Sequence, residues 1–248
     1  MKETGILFTS PMVRALPPGP KTMTRRALNR QPPQECGVHY MLGNESWLPE
    51  DKRTPLRHHC EAWGGPLYEQ RPEGYLCGTH SVRCPYGAPG DRLWVRETFF
   101  AWGRWETRFN AKKGRDEWHF VDMAEESGNG YLYAADGVSD TQAFIKRRSD
   151  QKPMYWKRPA IFMPRAASRI TLEITEVRVE RLQDISEADA LAEGIVRQPD
   201  DGYGLADTTH YHSCDPRQSY FSLWEAINGP GSVMANPWVW AVTFRRLP

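Results

Sequence analysis

Two stretches of the chain carry clear hydrophobic periodicity, and both lie in its second half. From Arg169 the sequence RITLEIT alternates, with Ile170, Leu172 and Ile174 on one side and Thr171, Glu173 and Thr175 on the other. That is the period of a half-buried strand. Val177 and Val179 continue the alternation out of phase, which predicts a bulge or bend near Thr175–Glu176. Ser186 then reads as the N-cap of a short helix, with Asp189 in a capping-box position and Gly194 placed to end it. Glu193 falls in the last turn, where the helix dipole disfavours a carboxylate, which leaves two readings, a role beyond helix stability and a solvated surface glutamate. Asp215-Pro216 starts a second helix whose Tyr220, Phe221, Leu223, Trp224 and Ile227 follow the 3.6-residue period, closed by Gly229. Asn236-Pro237 leads into a last strand with Trp238, Trp240, Val242 and Phe244 on one face. Core packing is the first reading of those tryptophans, and base stacking the second.

The first half is patterned more weakly. Gly5 to Thr9 reads as a short strand, and Ser10-Pro11 as a helix start that puts Met12, Ala15 and Leu16 on one face before Pro17-Pro18-Gly19. Residues 19 to 26, GPKTMTRR, group Lys21, Thr22, Thr24, Arg25 and Arg26, a concentration of donors and positive charge suited to phosphate or nucleobase contact. Pro85 to Asp91 is a dense turn signal, and Arg92 to Glu97 follows as a strand. Gly130 to Ala135 is a further strand candidate closed by Asp136-Gly137. Trp156 to Pro164 reads as an extended crossover packed by Trp156, Ile161 and Phe162.

Composition sharpens this picture in three places. Twenty prolines favour a loop-rich architecture over a helical bundle. With 248 residues the chain has enough length for a sizeable core, and one large domain with insertions is expected over 1–248. No apolar run is long enough to span a membrane and Met1–Leu16 lacks a signal-peptide core, so a cytoplasmic protein with reduced cysteines and no membrane partner is expected. Net charge is only +1, but its distribution is uneven. Residues 144–169 hold eight basic side chains against one acid, a net of +7, which makes them a candidate polyanion contact, with a flexible basic loop that has no dedicated partner as the alternative. Arg96, Lys157, Arg158 and Arg165, with Arg25 and Arg26, are the candidate nucleic-acid-binding residues. Residues 104–150 form a second, charged insertion.

Residues 31–83 lack sustained periodicity, yet Cys36, Cys60 and Cys77 fall within them and Cys84 just after, interleaved with His39, His58, His59 and His80. In a reducing compartment a Cys/His cluster in a coreless loop is a candidate structural zinc site, and unligated buried cysteines are the alternative. The ligands would be Cys36, Cys60, Cys77 and Cys84, with His80 as substitute.

Gly19-x-Lys21-Thr22-x-Thr24-x-Arg26, Gly90-Asp91 before a strand, Ala192-Glu193-Gly194 after a long strand, and a terminal Trp-Val-Trp-x-Val-x-Phe together resemble the ASCH domain, one of the PUA-like barrels. The longer runs PYGxPGDRLWVRE and MPRxASRITLEIT are similar to ASCH-type proteins of tailed bacteriophages and prophages. The resemblance implies an α+β fold, a PUA-like mixed β-barrel with short flanking helices and loop insertions. It also implies a cleft for RNA, DNA or a modified nucleoside in a bacterial host cell. One branch of the family removes the acetyl group from N4-acetylcytidine, and another is reported to cut RNA. In the first branch the matching positions make Lys21 the base, Thr24 the nucleophile and Glu193 the proton donor. A lysine base must be neutral, and lowering its pKa from about 10.4 to about 7–8 takes roughly 3–5 kcal/mol of differential interaction. The sequence leaves a non-catalytic reader, with Glu193 accepting from a cytosine amine, beside the hydrolase.

Overall fold

A computed structural model describes residues 1–16, 18–29, 31, 84–138, 152–205 and 213–248 in full, and between 32 and 83 only the backbone of five short strands. Its elements run β1 (Glu3–Leu7), α1 (Ser10–Ala15), β2 (Met23–Ala27), β3 (His39–Met41), β4 (Leu56–His59), β5 (Glu69–Arg71), β6 (Gly74–Leu76), β7 (His80–Val82) and β8 (Arg92–Arg96). They continue with β9 (Phe99–Asn110), β10 (Arg115–Asp122), α2 (Ala124–Ser127), β11 (Tyr131–Tyr133), β12 (Met154–Arg158) and β13 (Thr171–Arg181). The last five are α3 (Glu187–Ala192), β14 (Ile195–Arg197), β15 (Tyr203–Leu205), α4 (Pro216–Asn228) and β16 (Trp238–Arg246). The fold is mixed α+β, dominated by strands. Among the described residues no helix is long and apolar enough to cross a membrane.

The chain divides into two compact units, one of Met1–Thr4, Ala15–Leu93 and Thr171–Pro248, the other of Gly5–Arg14 and Trp94–Ile170. In the first unit β13 pairs with β16 and β16 with β2, in a sheet of order β1-β8-β13-β16-β2. That order is open, with β1 and β2 at its edges, and among the described residues the pairing does not close into a barrel. Within this unit Arg92 N donates to Lys2 O at 2.8 Å and Ile174 N to Asp91 O at 2.9 Å. Asp91 fixes the turn before β8, its carboxylate accepting from Lys2 N and Ala88 N, with Gly87 and Gly90 at φ 128° and 89°. These are left-handed angles that glycine adopts without strain.

The expected phase slip in β13 is a register shift against β16 between Ile174 and Glu176. It has a consequence for side-chain placement. Opposed residues share a face, so Ile174, Val177 and Val179 line up with Phe244, Val242 and Trp240 on one apolar face. Arg178 and Glu180, opposite Ala241 and Val239, are thereby sent to the other. That second face is also covered, because both parities of β16 from Trp238 to Val242 are buried. Helix α4 contributes Tyr220, Leu223 and Trp224 to the buried set, while Ile227 at its end is exposed, since the helix closes at Gly229 before another turn could cover it. In the 32–83 segment, β3-β4-β7 and β5-β6 pair antiparallel, setting His39 opposite His59 and His58 opposite His80.

The second unit is built on β9. Strands β10, β11 and β12 all pair antiparallel with it, β10 along its outer part and β11 and β12 along its inner part. Phe99, Ala101, Met163 and Ala167 form its core, with Trp94, Phe120, Tyr131 and Tyr133 packed against them. The crossover after β12 departs from the expectation. Trp156 is buried and its Nε1 donates to Gly103 O at 3.0 Å, but Ile161 and Phe162 are exposed. The cause is two successive 3-10 turns, Ala160–Phe162 and Arg165–Ala167, in place of an extended run. They turn the second apolar residues of WKRPAIFMP outward and bury Met163 instead. Arg169 closes this unit electrostatically, spanning Glu97 and Asp136 and lying 3.9 Å above the Tyr133 ring.

Candidate functional site

Lys21 lies between the end of α1 and the start of β2. Its backbone is held on two sides: Lys21 N donates to Ala15 O at 2.8 Å, and Thr22 N to Ala192 O at 2.8 Å. Phe244 N in turn donates to Thr22 O at 2.9 Å, so the segment is tied to the end of α3 and to β16 together. The Lys21 side chain has no solvent exposure. Its Nζ donates to Met23 O at 2.8 Å, to Glu193 O at 2.8 Å and to Glu193 Oε2 at 2.9 Å. An ammonium has three protons, and all three have acceptors. Burial pushes the Lys21 pKa below the ordinary lysine value, with Glu193 opposing and Arg26 and Arg25 adding to the fall.

Glu193 arrives there because α3 ends where it does. Ser186 caps the helix by accepting from Asp189 N at 3.1 Å, as the capping-box spacing predicts. Glu193 is the C-cap residue and is 3% exposed. Gly194 follows at φ 100°, and a Cβ there would stand 3.2 Å from Ala15 Cβ and 3.3 Å from Lys21 Cβ. The glycine therefore serves both the left-handed turn and the close approach of Lys21. The unfavourable helix-end carboxylate is explained locally by two cations, Lys21 on Oε2 and Arg25 Nη1 at 3.5 Å from Oε1.

Arg25, expected from sequence to contact a polyanion, is instead a buried member of this network. It is 3% exposed, donates from Nε to Glu180 Oε1 at 2.7 Å and from Nη2 to Asp189 Oδ2 at 2.7 Å, and reaches Glu193. Burial works against its charge, but Glu193 and Glu180 outweigh burial and raise its pKa. Arg178 adds a second cation, 3.2 Å from Asp189 Oδ2. The physical reason is parity. Met23 and Arg25 share the β2 face that meets Ala241, Arg178 and Glu180 through β16, and this is the face the bulge in β13 supplies with acids. Thr24 is buried opposite Val242, on the other face of β2 from Arg25. The structure thus brings Lys21 and Glu193 together and sets Thr24 on the apolar side. Arg26, opposite Trp240, is half-buried.

Tyr220 of α4 is a fourth feature of the site. It is 3% exposed, and burial, with Glu193 adding, pushes its phenol well above the usual value. Sequence reasoning does not single out Glu180, Arg178 or Tyr220. Glu180 and Arg178 read as the polar half of an alternating strand, and Tyr220 as one aromatic in a helical period. Only the phase slip, read together with Arg25, points to acids meeting that arginine.

The other expected nucleic-acid contacts, Arg96, Lys157, Arg158 and Arg165, belong to the second unit. Lys157 and Arg165 are exposed. Arg96 stacks on Trp94 at 5.3 Å and bonds Ile161 O. The guanidinium of Arg158 lies 5.0 Å from the Trp105 ring centre, 4.5 Å from Phe120 and 4.8 Å from Phe162. Of the expected zinc ligands, Cys36, Cys60, Cys77 and the side chain of His80 lie outside the described residues. Cys84 is half-buried, and burial raises the pKa of its thiol. Among the described residues no group of three or more His, Cys, Asp or Glu is placed to hold a metal. No family model, no curated protein and no solved structure matches this chain.

Proposed function

We propose that the protein is a PUA-like, ASCH-type hydrolase that removes an acyl group from a cytosine-like base, with Lys21 and Glu193 as its proton-transfer couple. The observation that carries this reading is a lysine without solvent exposure, bonded at 2.9 Å to a carboxylate that is itself buried. Moving one proton from Nζ to Oε2 converts the ion pair into an amine and a carboxylic acid. That single transfer creates a general base and a general acid side by side. Burial disfavours the charged form of Lys21 and so biases the pair in this direction.

The steps then balance. The amine takes the proton of the attacking hydroxyl, whose oxygen bonds to the acyl carbon. The Glu193 acid gives its proton to the exocyclic nitrogen as the C–N bond breaks. In the family resemblance Thr24 provides that hydroxyl; the acyl group then sits as an ester on Thr24, and a water that gives its proton to the Lys21 amine hydrolyses it, releasing the carboxylic acid and restoring the hydroxyl. The β2 register puts Thr24 on the face away from Arg25, so Thr24→Ala decides between the threonine and a water as nucleophile.

A second reading has its own supporting observation. Every proton of the Lys21 ammonium and both oxygens of Glu193 are already engaged, as in an ion pair that locks β2 to α3 in a non-catalytic reader. One experiment separates the readings. The protein is incubated with N4-acetylcytidine, with unmodified RNA and with acylated DNA, and products are followed by mass. Deacetylation that is lost in Glu193→Gln and Lys21→Met supports the hydrolase. Chain cleavage supports a nuclease, and binding without product supports the reader.

A further inference from the structure

We propose that the outer part of the β9–β10 hairpin is a binding arm for single-stranded nucleic acid, with phosphates along one face and unpaired bases on the other. The proposal rests on the nucleic-acid half of the reading above and not on hydrolysis.

The hairpin outgrows its core. From Arg104 to Asp122 no residue is buried, although the strands stay in continuous register from Gly103↔Asp122 to Asn110↔Arg115. At about 3.3 Å per residue, Arg104 to Asn110 extends roughly 20 Å. Gly103 marks the base of the arm. A Cβ there would stand 2.1 Å from Val121 O and 2.7 Å from the Phe120 ring, so only glycine lets β10 cross this closely.

The arm has two chemically distinct faces. Opposed residues share a face, and ring contacts agree with that parity: Trp105 meets Phe120 at 5.4 Å and Trp102 meets Tyr155 at 5.2 Å. The odd-numbered side of β9 carries Trp105, Thr107 and Phe109, facing Phe120, Trp118 and Asp116 of β10. Phe109 and Trp118 are 70% and 41% exposed, far more than a packing role requires. Toward the base the same side continues through Trp156, Arg158 and Phe162, so aromatic rings follow one another along it. Its two carboxylates are Asp116 and Asp122, and Asp122 already accepts from Tyr131 OH and Ala124 N. The even-numbered side carries Arg104, Arg108, Arg115 and Lys157, with Lys113 reaching it from the turn, against Glu106 and Glu117. Five cations less two acids leave it at +3.

This combination selects the partner. Exposed pairs such as Arg108–Glu106 at 2.7 Å and Lys113–Glu117 at 2.7 Å contribute little in water, so phosphates can replace the carboxylates at small cost. Stacking on Trp118 and Phe109 needs bases free of a duplex, because paired bases present edges and not faces. Strand β10 is the edge of its sheet, so a flexible strand can cross it with successive nucleotides meeting one side or the other.

Fluorescence anisotropy with a labelled oligouridylate and with a labelled duplex of equal length, across a series of NaCl concentrations, tests this. The single strand should bind more tightly. Arg104→Ala/Arg108→Ala/Arg115→Ala should reduce the slope of log K against log salt by about 2, at about 0.7 for each phosphate that is no longer neutralised. Trp118→Ala should weaken binding by about 5- to 150-fold, the effect of removing one stacked base. These positions are exposed, and unchanged circular dichroism verifies folding. No binding, tighter duplex binding, or wild-type affinity in Trp118→Ala overturns the proposal. Wild-type protein that binds through the arm but yields no deacetylated product defeats the hydrolase alone, and deacetylation with binding unchanged in the arm variants defeats the arm alone.

Discussion

Replacing Lys21 with Met keeps the side-chain length and removes the charge from a site with no solvent exposure. Three acceptors lose their donor: Met23 O, Glu193 O and Glu193 Oε2. Removing one partner of a buried ion pair costs about 3–5 kcal/mol, because the other charge stays buried without its counterion. Arg25 Nη1, 3.5 Å from Glu193 Oε1, still compensates part of that charge and places the variant at the lower end, about 3 kcal/mol. Glu193→Leu leaves the ammonium with two carbonyl acceptors, and a lysine whose pKa is already lowered by burial can shed its proton, so a similar cost of about 3 kcal/mol is expected. The double variant Lys21→Met/Glu193→Leu removes both charges and fills the site with apolar atoms, while Arg25 keeps Glu180 and Asp189. Buried pairs replaced in this way are often neutral in stability, so the double variant should lose at most about 2 kcal/mol, against about 6 for the sum of the singles. Urea denaturation followed by tryptophan fluorescence and circular dichroism measures this, with midpoint shifts of roughly 1–3 M for each single variant. Single variants that each lose less than about 1 kcal/mol and add in the double would refute the coupled buried pair.

The same lysine fixes a pH dependence. Its pKa in the folded protein lies below the ordinary 10.5, so between those values the unfolded chain holds the extra proton and stability rises with pH. Wild type should therefore gain stability relative to Lys21→Met as pH is raised from neutral toward the unfolded value, and a flat or falling difference in urea midpoints contradicts it. Gly194→Ala puts a Cβ against Ala15 and Lys21 at φ 100°, and should cost about 1–3 kcal/mol and lower any deacetylase activity with it. A thermal midpoint equal to wild type would show that the turn tolerates the side chain. If the cysteines 36, 60, 77 and 84 bind zinc, purified protein should carry about one equivalent by elemental analysis, and Cys77→Ser should carry none. Metal-free protein with chelator-insensitive stability identifies them as free thiols.

What sequence makes legible is local. The slip at Thr175–Glu176, the Ser186 cap, the Gly194 stop and the Asp215 start of α4 each depend on a few neighbouring residues, and each is found where the pattern places it. Lys21 and Glu193 stand out separately in the sequence, and resemblance alone pairs them. Their contact spans 172 positions and depends on Gly194 accommodating Lys21, which no periodicity encodes. Arg25 misleads for a related reason. An arginine in a cationic run ordinarily faces solvent, and what buries this one is a bulge in a strand 155 residues away that turns Glu180 toward it. The arm is illegible in another way. Residues 107–129 read as charged and ambiguous, because the alternation of Trp105, Thr107 and Phe109 is short and interleaved with charges, and the outer hairpin from Thr107 to Trp118 buries no residue that would mark one face as a core.

The buried network around Lys21 contains three cations, Lys21, Arg25 and Arg178, and three carboxylates, Glu180, Asp189 and Glu193. A balanced cluster of this kind can serve as a lock, since each charge is paired. It can also serve as a proton couple, since moving a proton from Lys21 to Glu193 leaves the total charge unchanged. The two roles differ in what Arg25 does. It lies 3.5 Å from Glu193 Oε1, and its charge also adds to the fall of the Lys21 pKa. Glu180 and Asp189 hold that arginine away from a tighter contact, at 2.7 Å from each against 3.5 Å to Glu193. The acids delivered by the bulge and by the first turn of α3 thus do more than neutralise Arg25. They engage it more closely than Glu193 does, which leaves Lys21 as the nearer cation to that carboxylate, the arrangement that the proposed proton couple needs.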